Sequence, residues 1–254
     1  MGCCSSQSNA DGKGYKPPPS EPSPESKSRV PLLNQIRVLC LHGFRTNMSV
    51  MQVQTVGLQQ AFDKSEIDFT YLNAPHAASG PAYDDVVDFF GADGPYFEWW
   101  RVSEDNSTYR GWKDSVESLE ASIRRLGPFD IIVGFSQGAT MATLLTAHYQ
   151  AKGRHPPYKA VILVCGLAPI DGMPPGLLEV NIPSFHILGE SDPVVDAGQA
   201  LVGMYSSTAR HVVTHPDGHK FPMFPHSEVI FNEVARLVRT TLCPKRDAHN
   251  DTVV

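Results

Sequence analysis

Apolar and polar residues follow two regular patterns along most of this chain. Short, nearly continuous apolar runs predict buried β-strands, whereas apolar residues spaced three or four positions apart predict amphipathic helices. The predicted strands occupy 36–41, 67–72, 130–133, 159–166, 183–189 and 211–215. The predicted helices occupy 51–62, 113–126, 137–151, 194–205 and 226–242. Because strands and helices alternate, the pattern predicts an α/β fold with a mostly parallel, doubly wound sheet and helices on both faces.

The segment from Asn73 to Trp112 interrupts this alternation. It is rich in turn-forming residues and in aromatic side chains, among them Tyr83, Phe89, Phe90, Tyr96, Phe97, Trp99, Trp100 and Trp112. Irregular segments of this length in a compact domain are usually functional, and aromatic side chains suit the wall of an apolar pocket. We therefore interpret it as an insertion near the functional site. The residues expected to line the pocket are Phe89, Phe97, Trp99 and Trp100. The alternative for any single aromatic is that it covers the sheet.

The two ends of the chain lack such patterning. Residues 1–32 are rich in Ser, Pro, Lys and Gly, which predicts a disordered tail, and residues 243–254 predict a flexible, polar tail. The remaining stretch, 33–242, shows no break in composition and is predicted to form one domain. The final tripeptide, Thr252–Val254, fits a PDZ-ligand pattern, but so short a pattern is accidental more often than not.

The chain starts with Met-Gly-Cys-Cys-Ser-Ser, which fits the N-myristoylation pattern at Gly2. Cys3 and Cys4 offer sites for palmitoylation, and two such lipid anchors together hold a protein stably on a membrane. We therefore expect a cytoplasmic protein that is peripheral on the cytosolic face of a membrane. The alternative is an unmodified mobile N-terminus.

Composition narrows the functional class. With 254 residues, 41% of them hydrophobic and 19% charged, the chain resembles a soluble globular protein, and no apolar run reaches the length of a membrane span. A net charge of −6 and the lack of a basic stripe argue against a nucleic-acid partner. Cys40 and Cys165 lie within apolar runs, which indicates buried thiols in a reduced, intracellular protein.

Residues 134–138 read Gly-Phe-Ser-Gln-Gly and match the pattern G-x-S-x-G. They follow a predicted strand and precede a predicted helix, which is the setting in which this turn exposes a nucleophilic serine. Gly134 and Gly138 flank the serine at positions where a Cβ would crowd the neighbouring strand or helix. The pattern predicts Ser136 as the nucleophile, although five residues alone arise by chance often enough to require catalytic partners.

A serine hydroxyl needs a histidine base, and the base needs a carboxylate to orient it. Asp192 follows the predicted strand 183–189, and His219 lies in a glycine-containing turn after the predicted strand 211–215, so the chain order is serine, acid, histidine. Glu190 and Asp196 are competing acids. Asp192 could instead cap the next helix, and His219 could be a solvated loop residue.

The oxyanion of such a reaction needs backbone N–H donors. One comes from the residue after the nucleophile and the other from the loop after the first strand, which indicates Gln137 and Phe44. His42, in the same loop, is interpreted as a structural turn residue. The histidines and cysteines lack zinc-ligand spacing, and no nucleotide-binding loop is found, so we expect neither a metal nor a cofactor.

Five separated motifs together resemble the FSH-type serine hydrolase family of the α/β-hydrolase superfamily, over about residues 33–242. They are Leu41–Phe44, the Phe-Glu-Trp-Trp run at 97–100, and the segments 134–139, 191–194 and 218–219. The resemblance implies an α/β-hydrolase fold and carboxylesterase-like activity, with Ser136, Asp192 and His219 as the triad. The serine turn is also similar to that of acyl-protein thioesterases. At 165–167 the chain has Cys-Gly-Leu, where a Ser-Gly-Phe type of turn is expected.

These observations predict a serine hydrolase that cleaves acyl esters with an apolar acyl or aryl group through an acyl-enzyme intermediate. Its substrate would be a small-molecule or lipid ester. One alternative is an acyl-protein or acyl-CoA thioesterase. A second is a non-catalytic, membrane-tethered α/β-hydrolase module used for binding, which is disfavoured because such modules usually lose a triad member and all three positions are occupied here.

Overall fold

The structure, a computed structural model, describes residues 35–105 and 107–242. The strands in this part of the chain are β1 (Ile36–Leu41), β2 (Ile67–Leu72), β3 (His76–Ala77), β4 (Phe97–Glu98), β5 (Arg101–Val102), β6 (Tyr109–Arg110), β7 (Ile131–Phe135), β8 (Ala160–Val164), β9 (Ser184–Gly189) and β10 (Arg210–His215). The helices are α1 (Met48–Gln54), α2 (Val56–Gln60), α3 (Asp84–Phe90), α4 (Trp112–Leu126), α5 (Gln137–Ala151), α6 (Val195–Gly203) and α7 (Ser227–Leu242).

Six strands form one sheet in the order β10-β9-β8-β7-β1-β2. Every neighbouring pair in it is parallel. The order reverses at β1, since the chain moves first to β2 and then crosses to β7 on the other side. Loops beyond the carboxyl ends of strands at such a reversal are where open α/β sheets bind ligands. The predicted fold is therefore confirmed, and the loops after β1 and β7 are the expected site.

The central strands β1 and β7 contribute side chains to two separate hydrophobic layers. On one face Leu39, Leu41 and Ile132 pack with α4 and α5. On the other face Val38, Cys40 and Val133 pack with α1, α2 and α7. Since side chains alternate along a strand, a sheet covered on both faces requires continuous apolar runs, which is the pattern found in the sequence.

The predicted helix 51–62 differs from the observed one. It begins earlier, at Met48, because the Asn47 side chain accepts the N–H of Val50 and caps the helix. It is also divided at Thr55, which separates α1 from α2 and donates its hydroxyl to the carbonyl of Met51 at 3.0 Å. A side-chain hydroxyl that bonds back to the preceding turn disturbs helix geometry.

The segment 73–112 has more regular structure than expected. It contains α3 and two short antiparallel pairs, in which His76 lies opposite Glu98 and Arg101 lies opposite Arg110. An isolated bridge joins Phe97 to Thr46, next to the loop after β1. The insertion is therefore anchored to the sheet edge that carries the candidate site.

In the part of the chain that the structure describes, no helix has the length and apolarity needed to cross a bilayer. The candidate lipidation residues Gly2, Cys3 and Cys4 lie outside the described residues. The tails 1–32 and 243–254 and the tripeptide Thr252–Val254 likewise remain predictions.

Candidate active site

Ser136 occupies a sharp turn between β7 and α5. Its backbone has φ 50° and ψ −115°, a conformation rarely adopted by non-glycine residues. Its N–H donates to the carbonyl of Val164 at 2.9 Å, which fixes the turn against the neighbouring strand. Strain of this kind persists only where the surroundings enforce it, and it is typical of functional positions.

The two flanking glycines leave the space that this turn needs. A Cβ on Gly134 would lie 2.5 Å from the backbone of Ala139, and a Cβ on Gly138 would lie 2.6 Å from the carbonyl oxygen of His42. Both distances are far below van der Waals contact. The glycine spacing of the motif therefore has a steric cause in this chain, as its sequence indicated.

A hydrogen-bonded chain connects Ser136 to the two other predicted triad residues. The Oγ atom of Ser136 donates to Nε2 of His219 over 2.8 Å. Nδ1 of His219 donates to Oδ2 of Asp192 over 2.7 Å. His219 lies 83 positions after Ser136 and 27 positions after Asp192 in the sequence. The parallel arrangement of β7, β9 and β10 brings the three residues together. In this arrangement Nε2 of His219 is placed to accept the serine proton.

Asp192 is the carboxylate that contacts His219. It is buried, and its second oxygen, Oδ1, accepts the N–H of Val194 at 2.9 Å next to the start of α6. Asp192 can therefore hold the backbone before α6 and contact His219 at the same time, since each interaction uses a different carboxylate oxygen. The competing acids lie elsewhere, because Glu190 is exposed and accepts the hydroxyl of Thr214, and Asp196 lies in the first turn of α6.

Phe44 lies in the loop after β1, and Gln137 begins α5 just after β7, so both follow strands at which the sheet order reverses. Within residues 35–105 and 107–242, neither backbone N–H is engaged in a hydrogen bond with another group. Gln137 is also the first residue of α5, where the helix dipole favours negative charge. Both amides are therefore available for an anion that develops beside Ser136.

His42 is a buried structural residue. Its Nδ1–H donates to the carbonyl of Gly43 at 2.7 Å, and Nε2 accepts the N–H of Ala74 at 3.0 Å. Burial lowers the pKa of His42 to about 4, so the ring is neutral at physiological pH. Both ring nitrogens are occupied, which leaves His42 no capacity to act as a second base.

Cys165 occupies the turn where the resemblance to the hydrolase family implies a serine. Its φ is 47°, and its Sγ donates to the carbonyl of Lys220 at 3.4 Å, next to His219. Burial, with a smaller effect of the Asp192 carboxylate, raises the pKa of this thiol to about 12. The thiol is therefore protonated and supports the loop that carries His219.

Among the described residues, one group of side chains has the donor types and proximity to hold a metal ion. It consists of Cys165, Asp192 and His219, whose donor atoms lie within 4.8 Å of one another. Two of these atoms, Nδ1 of His219 and Oδ2 of Asp192, already share a hydrogen bond, and the thiol is protonated. The geometry present is that of an acid–base pair.

The aromatic residues of the insertion divide into two groups. Trp99 and Trp100 are 1% and 4% exposed and belong to the hydrophobic layer under α4 and α5, and Phe89 is 85% exposed. The expectation that these three residues line a pocket stays a prediction. The indoles fill space above the sheet, and the Phe89 ring faces solvent. Phe97 is half-buried and retains free surface.

Sequence reasoning missed Glu98 and Arg45. The Glu98 side chain is fully buried and lies 3.8 Å from the guanidinium of Arg45, which directly follows Phe44. An acidic residue inside the aromatic run 97–100 was the available indication, because a carboxylate between apolar neighbours is buried only when it is paired.

Comparison with known proteins places these features in context. The family model described as serine hydrolase (FSH1) matches residues 32–228. Esterase OVCA2 of Bos taurus is 30% identical over 215 residues, which cover 74% of this chain and 89% of the relative. Esterase FUS5 of Gibberella moniliformis is 28% identical over 217 residues, which cover 83% and 88%.

Among solved structures, the crystal structure of esterase PE8 matches with a TM-score of 0.59 and 22% identity. The match covers 82% of this chain and 93% of that one. At this level of identity the likeness shows the shared α/β-hydrolase fold.

Proposed function

This chain belongs to the serine hydrolase (FSH1) family, and from that premise we propose that it is a carboxylesterase-like enzyme that cleaves acyl esters through a covalent acyl-enzyme. The observation that carries the proposal is the chain of short hydrogen bonds from Ser136 through His219 to Asp192 at the carboxyl edge of the sheet. A strained serine with an oriented base beside it is the arrangement that activates a hydroxyl nucleophile.

In the first half of the reaction, Ser136 Oγ attacks the ester carbonyl and His219 Nε2 accepts the hydroxyl proton. Asp192 stabilises the resulting imidazolium. The backbone N–H groups of Phe44 and Gln137 donate to the oxyanion of the tetrahedral intermediate. His219 then donates the proton to the departing alcohol, which leaves the acyl group on Ser136.

In the second half, His219 removes a proton from water, which attacks the acyl-enzyme and releases the carboxylic acid. The products are one alcohol and one acid for each ester, and Ser136 is regenerated with its proton. Apart from the ester itself, only water and these side chains donate or accept protons in the reaction.

An apolar acyl or aryl group suits the surroundings of Ser136. The Phe44 ring is half-buried and packs edge-on against exposed Tyr83, with centroids 6.5 Å apart. Met223 and Phe224 are exposed in the loop that follows His219. Apolar side chains in the loops after β1 and β10 support an apolar substrate rather than a sugar or a charged peptide.

The substrate class is tested with p-nitrophenyl esters of graded chain length and with thioesters of the same acyl groups. The expected result is ester turnover that depends on acyl length and is lost in Ser136→Ala. Turnover restricted to thioesters would show that the enzyme is a thioesterase and not an esterase. Tight ligand binding without turnover of either series would support the binding-module alternative.

In the same proposal, residues 33–242 form the catalytic domain between the tails 1–32 and 243–254. Gly2 carries a myristoyl group and Cys3 and Cys4 carry palmitoyl thioesters, which place the enzyme on the cytosolic face of a membrane. The support is the sequence pattern of residues 1–6. Gly2→Ala should move the protein from the membrane fraction to the soluble fraction in cells, and an unchanged distribution would remove this part of the proposal.

A further inference from the structure

The triad chemistry leaves one buried carboxylate unused, that of Glu98. Its Oε2 accepts the backbone N–H and the hydroxyl of Ser79, each at 3.0 Å, and its Oε1 accepts Nε–H of Arg101 at 2.9 Å. The side chain has no solvent exposure. A carboxylate is buried at a large cost unless its charge is compensated, so a role in the fold or the site is expected.

The second positive charge next to Glu98 belongs to Arg45. Its Nε lies 3.8 Å from Oε2 of Glu98, and its terminal nitrogens donate to the carbonyl of Pro81 and to the hydroxyl of Ser79. The guanidinium lies 4.7 Å from the centroid of the Phe44 ring. Arg45 has φ 51°, in the left-handed region where an arginine is strained, so its contacts must hold the turn in place.

Residues 97–101, which we name the Glu98 segment, hold the loop after β1 at further points. The N–H of Phe97 donates to the carbonyl of Thr46 at 2.8 Å. The indole Nε1–H of Trp99 donates to the carbonyl of His42 at 2.9 Å. The loop that contains Phe44 is therefore fixed on both sides by this one segment.

The same segment also fixes the residue after the nucleophile. The backbone N–H of Trp99 donates to Oε1 of Gln137 at 2.8 Å, and Nε2–H of Gln137 donates to the carbonyl of Trp100 at 2.9 Å. Gln137 is buried, and its amide side chain thus spans from α5 to the insertion. Both residues whose N–H groups are proposed to bind the oxyanion are tied to the Glu98 segment.

We infer that Glu98 is a positioning residue for the oxyanion hole, acting through its ion pair with Arg45 to fix the backbone N–H of Phe44. This inference rests on the proposed esterase function. Donors of an oxyanion hole stabilise the transition state only when they already point at the developing charge. A displacement of about 1 Å at such a site can cost about 100-fold in rate. Loss of the Glu98 charge therefore lowers turnover more than it lowers substrate binding.

The test compares Glu98→Gln with wild type in the full-length protein. Glutamine keeps the size and one acceptor oxygen but removes the charge that attracts Arg45. With p-nitrophenyl butyrate we expect kcat to fall at least about tenfold while KM stays within about twofold. The affinity for an alkyl trifluoromethyl ketone, whose serine adduct carries an oxyanion, should fall in parallel with kcat. A purely structural role would not produce this separation of kcat from KM.

Arg45→Gln tests the same ion pair from the other side. It should give a similar loss of kcat, and the double variant should lose little more than either single variant, because the two residues act as one unit. If Glu98→Gln does not fold, Arg45→Gln with the same two measurements decides the question.

The matched control is Glu66→Gln. Glu66 accepts Nε–H and Nη2–H of Arg239 at 2.6 and 2.8 Å, in a partly buried ion pair at the amino end of β2. This pair lies at the opposite edge of the sheet from Ser136. The control should lower thermal stability and leave kcat for the folded protein unchanged.

Failure of the esterase proposal and failure of the role inferred for Glu98 give different results. If wild type neither hydrolyses the ester nor binds the ketone, the proposed function falls and the inference falls with it. If wild type is active but Glu98→Gln and Arg45→Gln keep its kcat, or raise KM alone, the esterase proposal stands and the role of Glu98 is overturned. The role of Glu98 is also overturned if Glu66→Gln lowers kcat as much as Glu98→Gln does.

Discussion

The two carboxylate oxygens of Asp192 have different partners, because Oδ2 lies 2.7 Å from Nδ1 of His219 while Oδ1 accepts the N–H of Val194. The buried position of this side chain keeps water from competing for either bond. One residue thereby fixes both the orientation of the His219 ring and the backbone just before α6.

This arrangement predicts the effect of Asp192→Asn. The amide would present a donor to Nδ1 and favour the wrong tautomer of His219, so kcat for p-nitrophenyl esters should fall by about 10³ to 10⁴ with little change in folding. The control is Glu190→Gln, which changes an exposed acid two residues away and should leave kcat unchanged. The opposite ranking of the two variants would identify Glu190 as the acid.

The space around the nucleophile turn gives a second prediction. Gly138→Ala places a methyl group against the carbonyl oxygens of Leu41 and His42, so the turn must shift and Ser136 with it. We expect a loss of esterase activity of at least about 100-fold, as for other misplaced catalytic groups, together with a lower Tm.

The matched control for that substitution is Gly203→Ala, at an exposed position of α6 where an added Cβ would meet no atom within 4 Å. There alanine should keep activity and stabilise the fold by about 0.5–1 kcal/mol, since it loses less backbone freedom than glycine. A Gly138→Ala protein as active as wild type would show that the close packing of this turn is dispensable.

The convergence of Ser136, His219 and Asp192 in one hydrogen-bonded chain was predictable from sequence, and the physical reason is topology. Ser136, Asp192 and His219 each follow a strand, and in a parallel sheet the carboxyl ends of the strands lie at one edge, so separated motifs converge. The apolar runs and helical spacing likewise gave the order of strands and helices in the main sheet, because burial on both faces imposes them.

The insertion was less predictable because its structure depends on contacts that local pattern does not encode. Burial of Trp99 depends on its indole bond to the carbonyl of His42, 57 residues away. Strand β4 has two residues, too few for a periodic pattern, and the pairing of Glu98 with Arg45 requires the folded loop. The break at Thr55 coincides with hydroxyl contacts to Met51, Gln52 and Tyr71, which no periodic pattern encodes.

The buried histidine His186 predicts how stability depends on pH. Burial, with a smaller effect of Arg210, lowers its pKa from 6.5 to about 3. The unfolded chain therefore binds a proton near pH 6.5 that the folded protein does not, so stability is full above pH 6.5 and is lost as pH falls from there toward 3. From pH 6.5 to pH 5 the loss from this residue is about 2 kcal/mol.

This contribution is measured by denaturant unfolding at pH 7.5 and pH 5 for wild type and for His186→Gln. The variant should be less stable at pH 7.5, because it loses the packing of the ring on Tyr205, but it should show a smaller decrease between the two pH values. An equal decrease in both proteins would mean that His186 does not titrate differently on folding.

Cys165 provides a prediction about reactivity. Because burial raises the pKa of its thiol to about 12, the reactive thiolate is scarce at pH 8, and the buried Sγ is inaccessible. Iodoacetamide should therefore leave Cys165 unmodified in the native protein and modify it in urea, as peptide mass spectrometry would show. Modification of Cys165 under native conditions would indicate that the loop carrying His219 opens readily.

The most direct measurement is labelling by an active-site fluorophosphonate, followed by intact-mass and peptide analysis. A serine activated by His219 and Asp192 should give one adduct per chain, located on Ser136, and Ser136→Ala should remain unlabelled while keeping its fold. A wild-type protein that stays unlabelled, or a Ser136→Ala protein labelled to the same extent, would contradict catalysis by this serine.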